Sequence, residues 1–273
     1  MNQENLDEMK SWFEGYAQTF KTGNSDRLRN IVLKEKHTRR VCREILDIGE
    51  KLGLGEEDLR LAEVMALFHD IGRFEQYARY GTFQDRISVD HAQLSAEVLQ
   101  EEGVLEGLDE PTQNLILQVI SHHNKKFLPE GDSTRCLFFT RLLRDADKLD
   151  ILQVLSEYYQ NSSEKNKALE YELSDTPGIS DEVYREISAG TLVDISHLKN
   201  LNDFKMLQIG WVYDINFGPT FRALKERGYL EMIHDTMIRS EKIDNAFARV
   251  LIRLEERALE RQDQEKPALY TTS

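Results

Sequence analysis

Leu67-Phe68-His69-Asp70-Ile71-Gly72-Arg73 sets a histidine and an aspartate side by side at the end of an apolar helical stretch. Neighbouring side chains on a helix diverge by about 100°, so His69 and Asp70 do not form a simple same-face pair. A carboxylate buried there needs a cation or several hydrogen bonds, because its removal from water alone is costly. A metal ion meets that need, since it accepts ligands from two directions at once.

Outward from the doublet, other groups of the same chemistry fall on inward helical positions. Five of the seven histidines lie in the first half of the chain: His37, His69, His91, His122 and His123. His37-Val41-Ile45-Ile48-Leu52 steps by three or four residues, so His37 opens an apolar stripe. Leu59-Ala62-Ala66-His69 ends in the doublet. His91-Leu94-Val98 starts a further helix, capped by Ser88 or Asp90. Leu115-Val119-His122 and Ile116-Ile120-His123 bring two adjacent histidines to the end of a helix that begins near Asp109 and Pro111; which of the two points inward is open. Cys136-Thr140-Leu143-Asp147-Ile151-Val154 places Asp147 on an inward stripe. Without a metal each of these groups needs its own buried partner; one or two ions would satisfy them together.

The order His37, His69-Asp70, Asp147 resembles the HD superfamily of metal-dependent phosphohydrolases, whose pattern is His, His-Asp, then Asp on a helical bundle. The last aspartate of that family stands in an Ala-Asp-Arg/Lys-Leu setting. Ala146-Asp147-Lys148-Leu149 matches it, so the resemblance gives the ligand role to Asp147 and not to Asp145 or Asp150. His91 and His122-His123, lying between the doublet and Asp147, are similar to the larger ligand set of two-metal members. The resemblance covers roughly residues 30 to 155. Members that cleave cyclic dinucleotides carry Gly-Tyr-Pro, which is absent here, and often have Glu where this chain has Asn124; that activity is not expected.

The 273 residues can bury a sizeable core. No stretch of about 18 apolar residues occurs, so no membrane partner is expected. Met1 to Lys10 is polar and acidic, unlike a secretory signal. Cys42 and Cys136 sit in helical patterns without a Cys-x-x-Cys pair and read as reduced core thiols of a cytoplasmic protein. Lys and Arg number 35 against 49 Asp and Glu, a formal charge of −14. Such a surface repels phosphate polymers, so no nucleic-acid polymer is expected. A small anionic substrate remains compatible, because bound cations reverse the potential inside one cleft.

Helical periodicity dominates throughout. Leu6-Met9-Phe13-Tyr16-Phe20 is amphipathic with an aromatic face, and Asp26 is a candidate cap for the next helix. From Gly72 to Val89 the periodicity weakens, which predicts a loop rich in arginines and aromatics beside the doublet. Ser180 is expected to cap a helix over 181–189. Leu198 to Phe217 and Pro219 to Arg227 read as helical, and a last helix runs from about Ser240 to Gln262. The expected fold is all-α: an HD-domain helical bundle with additional C-terminal helices. It is read as one domain over 1–273, with a metal-binding core at about 25–155, a helical extension at about 156–262 packed over that core, and a frayed tail at 263–273.

Imidazole and carboxylate ligands suit Mn, Fe, Co, Ni or Zn, and one or two divalent ions per chain are expected. His37, His69, Asp70 and Asp147 would hold one ion, with Asp70 able to bridge to a second held by His91 and His122, and by His123 if it too points inward. A bridged pair lowers the pKa of its water and makes hydroxide available for attack at phosphorus. The remaining charge calls for cations. Related HD hydrolases often use the residue after the last aspartate on phosphate, which implies Lys148; Arg73, one turn past Asp70, comes next, then Lys125 and Arg86. The resemblance thus implies a phosphohydrolase acting on a small soluble phosphate ester, a nucleotide or a phosphorylated metabolite, with a homodimer as an open alternative to a monomer. Two other readings use the same ligands: an HD-fold di-iron oxygenase, and a metal-dependent regulatory ligand-binding protein.

Overall fold

Capping residues and apolar stripes set the local structure. The computed structural model describes residues 1–161, 170–171 and 173–260, and no strand occurs among them. Contacts divide the chain into two compact units: Met1–Asp147, and a second that starts at Lys148. The sequence places the end of the metal-binding part near residue 155; the division falls earlier, inside a long helix. No helix among the described residues is long and apolar enough to cross a membrane.

In the first unit, α1 (Gln3–Thr19) starts at an Asn2 capping box and buries Leu6, Met9, Phe13 and Ala17. α2 (Ser25–Lys51) is capped by the Asn24 side chain, not by Asp26, which lies in its first turn. α3 (Glu56–Phe68) carries Glu56, Glu57 and Asp58 in its first turn, where the exposed N–H groups favour negative charge. Phe13, Phe68 and Phe74 are fully buried, each worth about 1.5–3 kcal/mol of apolar transfer. The Phe13 and Phe74 rings meet edge to face at 6.0 Å.

The segment expected to be a loop contains a helix, α4 (Gly72–Tyr80), which ends at the left-handed residue Gly81. Its period is masked because it buries Gln76 alongside Phe74: the Gln76 amide donates to Asp85 Oδ1, Ser88 Oγ and the Val89 carbonyl. A short 3-10 turn, Asp85–Ile87, leads to α5 (His91–Glu101), capped by Asp90. α6 (Glu110–His122) is capped by Asp109 with Pro111 in its first turn. Gly72 lets α4 lie close to α5. A Cβ there would stand 2.7 Å from Ser95 N and 2.8 Å from His91 O. The Gly72 N–H instead donates to Ser95 Oγ at 2.9 Å, and that hydroxyl lies 2.8 Å from both the His69 and His91 carbonyls. This junction ties the doublet to the start of α5. α7 (Thr134–Asn161) runs through the division, so that Asp147 closes the first unit and Lys148 opens the second.

In the second unit, α8 (Asp181–Ser188) buries Val183 and Ile187. The Ser180 side chain makes no cap bond to it; its hydroxyl donates to Asp203 Oδ2 at 2.5 Å, and the buried Asp203 also accepts from Ser180 N and Lys199 N. The stretch expected to be one helix from Leu198 splits into α9 (Leu201–Ile209) and a 3-10 turn, Gly210–Asp214. α10 (Gly218–Arg227), α11 (Tyr229–His234) and α12 (Glu241–Leu259) follow. α12 packs on α10 and α8 and buries Ile243, Ala246, Phe247, Val250 and Leu254. The tail expected at 263–273, and residues 261–262 of the last predicted helix, lie outside the described residues.

Candidate metal centre

Separate elements of the first unit bring six side chains together. α2 supplies His37 from its inward stripe. His69 is the C-cap of α3, and Asp70 follows it in the turn. His91 is the first residue of α5, His123 the C-cap of α6, and Asp147 lies in α7. His37, His69, Asp70, His91 and His123 are buried.

The contacts form two overlapping sets. In the first, His37 Nε2 stands 3.1 Å from Asp147 Oδ1 and 3.5 Å from Asp70 Oδ2, and His69 Nε2 stands 3.6 and 3.7 Å from the same two oxygens. In the second, His91 Nε2 lies 3.4 Å from Asp70 Oδ1 and 3.1 Å from His123 Nε2. Asp70 therefore turns one carboxylate oxygen to each set. Ligand atoms at about 2.0–2.2 Å from a four-coordinate ion are separated by roughly 3.3–3.6 Å, close to the spacings seen here.

The protonation pattern also fits a cation. His69 Nδ1 is 2.7 Å from the Ala66 carbonyl, His123 Nδ1 is 2.6 Å from the Ile120 carbonyl, and His91 Nδ1 is 2.6 Å from Asp85 Oδ2. Each acceptor sits where it receives a hydrogen bond from Nδ1–H, which turns Nε2 toward the centre, the orientation typical of metal-ligating histidines. Burial, with His91 and His69 nearby, holds His123 well below the usual histidine range; burial and the Arg73 charge lower His91. His91 Nε2 and His123 Nε2 face each other at 3.1 Å, within reach of one shared cation. His69 Nε2 and Asp147 Oδ1 are buried and lack a hydrogen bond of acceptable geometry despite their 3.6 Å approach. Burial alone would raise the two aspartates, but Lys34, His69 and His37 hold Asp70 well below the carboxylate range, and His37 and His69 do so for Asp147. Both are anionic at neutral pH. The residues present fit one or two divalent ions.

The other expected site residues are placed differently. His122 stands apart from both sets, with Nδ1 3.0 Å from Asp132 Oδ2: the stripe Ile116-Ile120-His123 is the buried one, and its neighbour turns away by about 100°. Arg73 has Nε 3.4 Å from Asp70 Oδ1, but its Nη1 donates to Gln76 Oε1, the Phe83 carbonyl and Asp85 Oδ1. These bonds brace the segment carrying Asp85. Lys148 forms an ion pair with Asp214 at 2.7 Å in the second unit, a partner that sequence adjacency to Asp147 did not suggest.

Two residues were not anticipated. Lys34 Nζ lies 2.7 Å from Asp70 Oδ2 and 5.4 Å from the Phe83 ring centre; its position three residues before His37 on the same helix was the available signal. Asp85 orients His91, and only its location between the doublet and His91 hinted at a role. Hydrogen-bonded partners of metal histidines are worth about 10–100-fold in metal affinity. Asp85→Asn is therefore expected to weaken binding of one of two ions by that factor while leaving the other in place, measured by competitive chelator titration; unchanged affinities at both would remove Asp85 from the centre.

The first unit thus brings four histidines and two aspartates together around Asp70, a donor set that could hold a metal ion. Residues 35–153 match the family model described as HD domain. The match spans His37 through Asp147. No curated protein and no solved structure matches the chain.

Proposed function

We propose that this protein is a metal-dependent phosphohydrolase that acts on a small soluble phosphate ester, a nucleotide or a phosphorylated metabolite. The HD domain supports the coarser assignment to a metal-dependent hydrolase superfamily. The observation that carries the finer reading is Asp70, whose two oxygens face two histidine sets. Bound there, a pair of divalent ions would supply Lewis acidity and a water acidified toward neutral pH.

The chain's own residues do the positioning. Ala66, Ile120 and Asp85 orient three imidazoles so that their Nε2 atoms converge. Arg73 and Gln76 hold the segment 83–89 against the doublet and so fix Asp85. Lys34 supplies a cation next to Asp70. With Asp70 engaged by the ions, the Lys34 ammonium, over the Phe83 ring, would be free to turn to a phosphate oxygen. Phosphoryl transfer depends mostly on such positioning and charge stabilisation.

The test is metal content of protein purified without added metal, followed by a panel of nucleotides and sugar phosphates with Mn, Co, Ni, Fe or Zn. Asp147→Ala is expected to lose at least one ion per chain and phosphatase activity by about a thousandfold, a change of about 4 kcal/mol in barrier, with an unchanged circular-dichroism spectrum. Full occupancy in this variant would overturn the metal assignment. Oxygen consumption by iron-loaded protein, without phosphate release on any panel member, would replace the hydrolase with an oxygenase.

A further inference from the structure

We infer that His122, Asp132 and Cys136 form a separate cation site, suited to one thiolate-preferring divalent ion such as zinc, at the connection between α6 and α7. The three side chains offer His Nδ1, a carboxylate oxygen and a sulfur, all within 4.8 Å of one another. His122 Nδ1 is 3.0 Å from Asp132 Oδ2, and Cys136 Sγ is 3.8 Å from the same oxygen. Around a tetrahedral zinc with usual bond lengths such edges measure roughly 3.3–3.6 Å, so a small shift of each side chain closes the set. Mixed nitrogen, oxygen and sulfur donors select zinc or cobalt over magnesium or calcium.

Two further observations point to a ligand. His122 Nδ1 is buried, and despite its approach to Asp132 it makes no hydrogen bond of acceptable geometry. The Cys136 thiol is fully buried, with Asp132 Oδ2 at 3.8 Å and Thr140 Oγ1 at 4.0 Å as its polar neighbours, whereas the His122 and Asp132 side chains remain 17% and 16% exposed and give an ion a way in from solvent. None of the three belongs to the His37-to-Asp147 cluster. The site would join the last residue of α6 to the first turn of α7, around a connection that Arg144 already braces by donating to the His123 and Lys125 carbonyls. Because His122 and His123 diverge on the chain, an ion holding His122 outward also fixes the turn that presents His123 inward.

Cobalt(II) distinguishes this site from the histidine–carboxylate centre, which contains no thiolate. Titration of the full chain with cobalt is expected to give a near-ultraviolet thiolate-to-cobalt charge-transfer band that saturates at one ion per chain. Cys136→Ser should abolish the band, while Cys42→Ser and Asp147→Ala keep it. Asp132→Asn, at a partly exposed loop position, keeps the thiol and should weaken the cobalt affinity read from the band by roughly tenfold or more. Absence of the band in the wild-type protein at saturation, its survival in Cys136→Ser, or unchanged affinity in Asp132→Asn would each overturn the proposal. Retention of the band in Asp147→Ala keeps this outcome independent of the hydrolase reading.

Discussion

Asp70→Asn is expected to remove both ions of the histidine–carboxylate centre in one step and to reduce phosphatase activity by more than a thousandfold. This carboxylate reaches both sides of the centre: Oδ2 faces His37, His69 and Lys34, and Oδ1 faces His91 and Arg73. Asparagine keeps the shape but replaces one oxygen by an NH2 group that cannot ligate, and it removes the negative charge that offsets the ions. The Lys34 ammonium would then lose its carboxylate partner in a mostly buried site, a change that costs several kcal/mol when one member of a buried pair is deleted. A thousandfold in rate corresponds to about 4 kcal/mol, within reach of losing two Lewis acids. Metal analysis per chain, activity and thermal unfolding should be read together. Retention of one full equivalent of metal would show that the two histidine sets act independently and that Asp70 does not bridge them.

Gly72→Ala is expected to be the most disruptive single-methyl substitution near the centre. The added Cβ would stand 2.7 Å from Ser95 N, 2.8 Å from His91 O and 3.0 Å from the Leu94 carbonyl carbon. All three are backbone atoms of α5, so no side-chain rotation relieves the clash, and α5 must move with His91 at its first residue. Overpacking of this kind costs about 1–3 kcal/mol, a fall in Tm of roughly 2–10 °C for a chain of this size. The displaced His91 should also lower affinity for one ion by about tenfold or more, the scale on which misoriented ligands act. Gly15→Ala is the control: it lies in α1 with nothing within 4 Å of the added carbon, and helix propensity makes it neutral or stabilising by up to about 1 kcal/mol. Wild-type Tm and metal affinities in Gly72→Ala would mean that the α4–α5 contact is soft and does not set the position of His91.

What was legible in the sequence followed from regular spacing. The all-helical class showed in the helical period, the stripes bearing His37, His69 and Asp147 repeat at three or four residues, the start of α6 near Asp109 was marked by Asp109 and Pro111, and the family-like order linked the site residues; the cap of α5 was narrowed to Ser88 or Asp90, and Asp90 fills it. The choice between His122 and His123 was not legible, because both end an apolar series; it depends on Ile116 and Ile120 being buried while Leu115 is only partly so. α4 was missed because its inner face holds the buried Gln76 in addition to Phe74, so a polar residue broke the pattern that marks a core helix. Asp85 and Asp214 act through partners reached only in the folded chain. Arg73 and Lys148 illustrate the same point: adjacency to ligands suggested open cations, and each is held by a carboxylate.

The Lys34–Asp70 contact bears on how the protein meets metal scarcity. An ammonium 2.7 Å from the shared carboxylate supplies countercharge without any ion, whereas small zinc domains unfold when chelated. The stripped protein is thus expected to persist as a folded, reloadable reservoir. Refilling is then expected to proceed on folded protein, without a refolding step.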